Sequence, residues 1–134
     1  MEEFLDQLDI RLIGYLHGKA IWRLESVLRY GGIVVPVNFE TDLASVPRIP
    51  IIFMLWGDRV HKEAVLHDYL YRKNSVPFVT KDQADSIFKY AMKRKNPAYV
   101  YEPIYLGVKY GARKYYHKLP VEYHFSQDYY FIGA

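Results

Sequence analysis

The sequence contains no cysteine, which excludes a disulfide framework and a zinc site built from thiolates. It also lacks a long hydrophobic run. The longest apolar stretch, Ile49 to Trp56, is too short to cross a bilayer, so we expect no transmembrane segment. The first residues, Met1-Glu2-Glu3-Phe4, are acidic and are not followed by an apolar core, so we expect no signal peptide. The missing thiols are compatible with a reducing compartment.

Basic residues are in slight excess and form no long run. The formal net charge is +3, and the clusters Lys93-Arg94-Lys95 and Arg113-Lys114 are typical of solvated helix ends. Because no zinc finger or RNA-binding signature is present, no nucleic-acid partner is expected. Tyrosine is abundant, with 14 of 134 residues. Tyrosine is enriched at interfaces as well as in cores, so this composition favours a protein with a partner surface.

The residue patterns predict one α+β domain over residues 1–120, with residues 121–134 as a C-terminal extension. Residues 11–16 and 20–24 flank a His17-Gly18-Lys19 turn and predict a β-hairpin. Residues 33–37 predict a further strand. Residues 121–125 alternate between apolar and polar side chains, as a strand does. The expected fold is a small antiparallel N-terminal sheet followed by three packed helices and a C-terminal strand-like tail.

Three helices are predicted, at about residues 59–73, 80–96 and 99–117. The second starts with a capping box, Thr80-Lys81-Asp82-Gln83. Helical periodicity places one set of residues on the inward stripe of the first helix: Val60, Ala64, His67, Asp68 and Tyr71. The corresponding stripe of the second helix contains Asp85, Phe88 and Met92.

Two ionisable side chains, His67 and Asp85, lie on the inward stripes of consecutive helices. Burying such groups costs free energy unless they become partners, so we expect a hydrogen bond between them. A carboxylate that accepts from one imidazole nitrogen leaves the other as a general base, which would make the pair a catalytic dyad. The alternative is a structural hydrogen bond that only holds the helices in register. Asp68 could hold a metal ion or a water molecule beside a dyad.

The loop around Asp42 and Ser45 offers further candidates. Asp42, three residues before Ser45, is a good Asx turn or short-helix cap. Alternatively, Asp42 joins Asp68 as an oxygen ligand for Ca²⁺ or Mg²⁺. Ser45 lacks the Gly-x-Ser-x-Gly context of a hydrolase nucleophile, so we assign it a supporting role. Arg48 is expected to pair with Asp42 and hold the loop. The remaining histidines show no spacing suited to zinc.

Four segments together resemble domain-of-unknown-function family 1353, which is found mostly in tailed bacteriophages and prophages. They are Trp22-Arg23-Leu24, residues 35–48 (VPVNFETDLASVPR), residues 64–72 (AVLHDYLYR) and residues 84–92 (ADSIFKYAM). The resemblance covers about residues 20–117. It implies a phage-encoded protein and names no activity.

A second, local resemblance concerns His67-Asp68-x-x-Tyr71 and the later Ala84-Asp85. These residues are similar to the helix pair of phospholipase A2 domains, especially the cysteine-free form in parvovirus capsids. By that resemblance, His67 would activate water, Asp68 would bind Ca²⁺ and Asp85 would orient His67. Those domains have a glycine-rich calcium loop just upstream, where this chain has only residues 55–58 (LWGD). The loop at residues 41–45 is the candidate substitute.

The sequence therefore leads to two functional hypotheses. The first is a virion-associated phage tail protein with a hydrolase-like site, formed by His67 and Asp85 with Tyr71 in support. Assisted by Ca²⁺ or Mg²⁺, it would act on phospholipid or peptidoglycan of the cell envelope. The second is a non-catalytic virion or connector protein. In both, the expected partners are other phage structural proteins or copies of the chain itself, contacted through the tail, and the expected location is the virion or the host cytoplasm during assembly.

Overall fold

The structure, a computed structural model, describes residues 3–43 and 60–133. Six strands form two antiparallel sheets. The larger sheet has the order β5-β2-β1-β6 and the smaller pairs β3 with β4. The strands are β1 (Ile10–Leu16), β2 (Lys19–Leu24), β3 (Leu28–Tyr30), β4 (Ile33–Val35), β5 (Glu40–Thr41) and β6 (Ile132–Gly133). The α+β prediction is confirmed.

The predicted N-terminal hairpin is confirmed as β1 and β2, paired from Ile10 with Leu24 to Leu16 with Lys19. Its turn has positive φ at both His17 (50°) and Gly18 (77°), the geometry whose twist matches the flanking strands. Gly14 lies at an irregularity in this pairing. A Cβ atom there would lie 2.1 Å from the backbone oxygen of Ile132, so only glycine lets β6 approach β1 this closely.

Strand β3 follows the first hairpin along the chain but does not pair with it. It pairs instead with β4, with Tyr30 opposite Ile33. The physical reason is the Gly31-Gly32 turn, in which Gly31 has a φ of 55°, because that turn folds the chain back at once on itself.

Three helices follow: α1 (His61–Leu70), α2 (Lys81–Lys93) and α3 (Ala98–Gly111). The capping box of α2 is confirmed, because Thr80 accepts from the Gln83 amide while the Gln83 side chain accepts from the Thr80 amide. The third helix is shorter than the predicted 99–117. It ends at Gly111, a residue that weakens helix propagation, and residues 113–115 form a separate 3₁₀ turn. The main core lies among the helices and the smaller sheet.

The strand predicted for residues 121–125 is wrong. The first part of the tail is irregular, a 3₁₀ turn spans Phe125–Gln127, and within the described part of the tail only β6 forms a strand. Phe125 is buried against Leu16 and Ile21, so the apolar alternation reflects packing of single side chains onto the sheet. β6 then pairs with β1 at the edge of the larger sheet. The tail therefore folds back onto the N-terminal sheet.

Candidate functional site

The predicted hydrogen bond between consecutive helices is confirmed. The Nε2 atom of His67 on α1 lies 2.7 Å from the Oδ1 atom of Asp85 on α2. Their positions follow from the inward stripes: residues 63–70 of α1 are all buried, and Asp85 shares the buried face of α2 with Phe88 and Met92. The two side chains thus meet where the helices pack.

Asp85 receives two further hydrogen bonds. The Tyr71 hydroxyl donates to Oδ1 at 2.7 Å, and Lys81 Nζ donates to Oδ2 at 2.7 Å. Burial alone would raise the pKa of Asp85, but the hydrogen bonds from His67, Lys81 and Tyr71 outweigh it and hold that pKa below its ordinary value. The carboxylate is therefore ionised and can only accept. Sequence reasoning missed Lys81, although its position four residues before Asp85 on a helix was the available signal.

His67 is fully enclosed. Its side chain has no exposed surface, and its ring packs between Tyr71 at 4.2 Å and Phe88 at 4.8 Å between ring centroids. Burial lowers the pKa of His67 because the charged imidazolium loses its hydration, although Asp85 opposes this shift. The ring is therefore neutral. Because Asp85 only accepts, Nε2 of the neutral ring is the nitrogen that carries the proton.

Asp68, the next residue of α1 after His67, belongs to a second polar network. Its Oδ2 accepts from the Thr41 hydroxyl and from Arg72 Nη2, the latter at 3.3 Å. Arg72 also donates to the backbone oxygens of Glu40 at 2.8 Å and Pro120 at 3.0 Å. Asp68 and Arg72 are each more than nine-tenths buried, so this ion pair is part of the interior and ties α1 to β5 and to Pro120, just before the tail.

Glu40 extends this network and was not singled out from the sequence. Its side chain is fully buried and accepts from Arg23 at 3.0 Å and from the amide and hydroxyl of Ser126. Arg23 thus pairs with the Glu40 carboxylate, and Arg72 links the backbone oxygen of Glu40 to Asp68, so the four residues form one continuous series of polar contacts. A buried glutamate in a two-residue strand gives no periodic signal, and its partners lie 17 and 86 positions away.

A cleft of about 280 Å³, the polar cleft hereafter, opens beside Asp68. Its charged lining consists of Lys19, Asp42, Asp68, Arg72 and Lys118. Its aromatic lining consists of Tyr71, Tyr115, Tyr123 and Phe125. Asp42 and Asp68, the two carboxylates of the metal hypothesis, both line this cleft. Tyr71 belongs both to the cleft wall and to the Asp85 hydrogen-bond cluster, whereas His67 does not line the cleft.

Ser45 and Arg48 lie outside the described residues, and so does residue 44 of the loop at 41–45 that was proposed to replace a calcium loop. Within residues 3–43 and 60–133, no three histidine, aspartate or glutamate side chains are grouped as a metal site would need. The binding of Ca²⁺ or Mg²⁺ by Asp68 and Asp42 therefore stays a prediction. In the same part of the chain, no helix is both long and apolar enough to cross a membrane.

Comparison with protein families finds a match for this chain. The model of the family described as "Protein of unknown function (DUF1353)" matches residues 22–108, which is more than half of the chain. The matched segment contains all the polar residues joined to Asp85 and the Arg23–Glu40–Arg72–Asp68 series, but not the tail. No curated protein and no solved structure matches the chain significantly.

Proposed function

The chain belongs to the DUF1353 family, and from that premise we propose that it is a non-catalytic, virion-associated bacteriophage protein. In this proposal, the pair formed by His67 and Asp85 holds two helices in register and performs no chemistry. The observation that carries the proposal is the burial of His67. A general base must reach a proton of its substrate within hydrogen-bond distance, and an imidazole with no exposed surface offers a substrate no approach.

The arrangement around Asp85 supports the structural role. One carboxylate joins three donors, from α1 (His67), from the residue that follows α1 (Tyr71) and from α2 (Lys81). Lys81 also donates to the backbone oxygen of Lys109 in α3 at 3.0 Å. A buried carboxylate with satisfied partners can specify one helix packing over others. This cluster connects all three helices, as a structural element would.

The virion association is supported by the family resemblance to phage proteins and by the surface of the tail. Tyr129, Tyr130 and Ile132 are exposed by 92%, 64% and 67%, and they lie next to or in β6, an edge strand. Exposed aromatic side chains beside an open strand edge suit pairing with another chain. The partners we propose are other phage structural proteins or a second copy of this chain.

The experiment compares stability with hydrolysis in His67→Ala and in His61→Ala, a control on the same helix. If the pair is structural, His67→Ala removes one hydrogen bond to Asp85 and leaves a cavity in place of a fully buried ring, and it lowers the free energy of unfolding by about 3–5 kcal/mol. The control is expected to cost about 1 kcal/mol or less. The unmodified protein should hydrolyse neither phospholipid vesicles nor peptidoglycan. Hydrolysis that disappears in a His67 variant of unchanged melting temperature would overturn the structural role.

The virion part of the proposal has its own test. Particles of a phage that encodes this chain should contain it after purification by density gradient, as measured by mass spectrometry. If the protein were detected in the soluble lysate but not in the purified particles, virion association would be contradicted. That result would leave the structural role of His67 unaffected.

A second candidate, a hydrolase acting on the cell envelope, is favoured by one observation. The ring of Tyr71 both contacts His67 and lines the polar cleft, so displacement of this one side chain would open a path from the cleft to the imidazole. The described residues fit a cation poorly, because Asp68 is already paired with the cationic Arg72 and no three histidine, aspartate or glutamate side chains of the described residues are grouped there. Millimolar Ca²⁺ should therefore produce no thermal shift, whereas a clear shift would favour this candidate.

A further inference from the structure

Helix α3 is apolar on two faces. Its inner face packs Val100, Ile104 and Val108 into the core. Its outer face has large apolar side chains as well, whereas the outer face of an ordinary surface helix is polar. These outer residues, which we call the α3 seam, recur at intervals of four, three and four positions: Tyr99, Pro103, Leu106 and Tyr110. That spacing is typical of the contact line between two paired helices.

The α3 seam lies at the surface of the protein. Tyr99, Leu106 and Tyr110 are exposed by 67%, 46% and 77%, and Pro103 is half-buried. Single apolar residues scattered over a surface need no explanation, but a continuous line of them marks an interaction site. The seam therefore has the composition of a surface that another helix covers.

The two charged residues of α3 lie on one edge of the seam. Glu102 and Lys109 are seven residues apart, so they project in nearly the same direction, toward α2. Lys89 of α2 contacts Glu102 Oε1 at 3.2 Å, which leaves Oε2 able to accept from a second lysine. The ammonium group of Lys109 pairs with no carboxylate of the described segments. This edge is therefore negative toward the start of the helix and positive toward its end.

That order of charges fits a second copy of the chain in one orientation. When two copies of α3 pack antiparallel about a two-fold axis, the charged edge of one helix faces the charged edge of the other. Glu102 then meets Lys109 of the second copy, and the same contact forms again at the other end. Between them, Leu106 packs on Pro103 of the second copy. In a parallel pair, Glu102 would instead face the opposite edge of the other helix, where Gly107 offers no charge.

We propose that α3 is a self-association surface through which two copies of the chain form an antiparallel, two-fold symmetric pair along the α3 seam. The two contacts between Glu102 and Lys109 fix the register of the pair, since charge complementarity contributes more to specificity than to affinity. This surface is separate from the tail, and the proposal does not depend on the role of His67.

The contact is small, so the pair is weak. α3 has 14 residues and is about 21 Å long. A proline inside a helix bends it, so the contact is centred on the turn that holds Pro103 and Leu106. Interfaces that bury less than about 1,200 Å² in total belong to weak, transient complexes. We therefore expect a dissociation constant of about 0.1 mM, which many copies held side by side in one assembly would exceed in local concentration.

Charge reversal tests the pairing by sedimentation velocity over a range of protein concentrations. Glu102→Lys alone and Lys109→Glu alone each place like charges opposite each other at both ends of the contact. We expect each variant to associate about tenfold more weakly than the unmodified protein. An equimolar mixture of the two variants restores opposite charges at both ends, so mixed pairs should form about as tightly as the unmodified pair. Lys93→Glu, the same change of charge at an exposed position of α2 outside the seam, should associate like the unmodified protein.

A matched pair of substitutions separates the seam from the tail. Leu106→Lys should abolish self-association, whereas Ile132→Lys, at an exposed position of β6, should keep it. Each variant is first compared with the unmodified protein for melting temperature and circular dichroism, and if a charge variant is not folded, the Leu106 and Ile132 comparison decides. The proposal is overturned if the unmodified protein stays monomeric at millimolar concentration, if the mixture of charge variants associates no better than each alone, or if Ile132→Lys rather than Leu106→Lys abolishes association.

Discussion

Replacing Asp85 by asparagine tests how much the buried carboxylate contributes to the helix packing. The amide keeps the shape of the side chain but has one acceptor oxygen and one NH₂ donor. If the amide oxygen stays between His67 and Tyr71, the NH₂ group takes the place of Oδ2, which lies 2.7 Å from Lys81 Nζ. Two donors then face each other, and this hydrogen bond is lost. Each charge-assisted hydrogen bond contributes about 1.5–3 kcal/mol, and breaking a buried ion pair costs about 3–5 kcal/mol. We expect about 3 kcal/mol, because Lys81 keeps partial exposure and its bond to the Lys109 carbonyl.

Urea denaturation followed by circular dichroism measures this loss, with Asp82→Asn as the control. Asp82 is exposed in the first turn of the same helix, where a carboxylate contributes about 0.3–1 kcal/mol. The pKa of Asp85 is lowered from 3.8, so its stabilisation is fully present above that pH and is lost as the pH falls through the folded pKa. The difference in the free energy of unfolding between the unmodified protein and Asp85→Asn should therefore shrink in acid. A cost no larger than that of the control would refute the claim that Asp85 holds the helices together.

Three further substitutions test other parts of the fold by thermal denaturation. Burial raises the pKa of Glu63 from 4.5 to about 7, so the native protein loses stability as the pH rises from about 4.5 through 7. Glu63→Gln should therefore be more stable than the unmodified protein by up to about 3 kcal/mol at pH 8. At pH 4 the two proteins should be almost equally stable. Phe125→Ala should cost about 3–5 kcal/mol if the tail belongs to the core, and an effect under 1 kcal/mol would contradict this. Thr80→Ala should cost about 1 kcal/mol through loss of the capping box, whereas no change would mean that α2 does not depend on it.

The features that the sequence predicted correctly are those with local signals. The hairpin around His17 and Gly18 has a turn and strand pattern within a few residues, and the start of α2 has a capping box at Thr80. The contact between His67 and Asp85 was predictable because two buried ionisable groups on adjacent helices need each other.

The features that the sequence did not predict depend on distant contacts. Residues 121–125 alternate like a strand, but Phe125 is drawn to Leu16 and Ile21, more than a hundred positions earlier. The role of Glu40 depends on Arg23 and Ser126, whose proximity only the folded chain creates. No local pattern in the sequence brings Lys19 and Lys118 to one cleft, since they lie on β2 and in the connection after α3.

The accessibility of the His67 ring tests the central claim most directly. Native protein would be treated with diethyl pyrocarbonate, which acylates neutral imidazoles that solvent can reach, and each histidine would be quantified by mass spectrometry. A buried structural pair predicts that His67 stays unmodified while the exposed His17 reacts, and that both react equally in denaturant. Modification of native His67 at a rate comparable to that of His17 would contradict the account, because a ring open to the reagent is also open to a substrate.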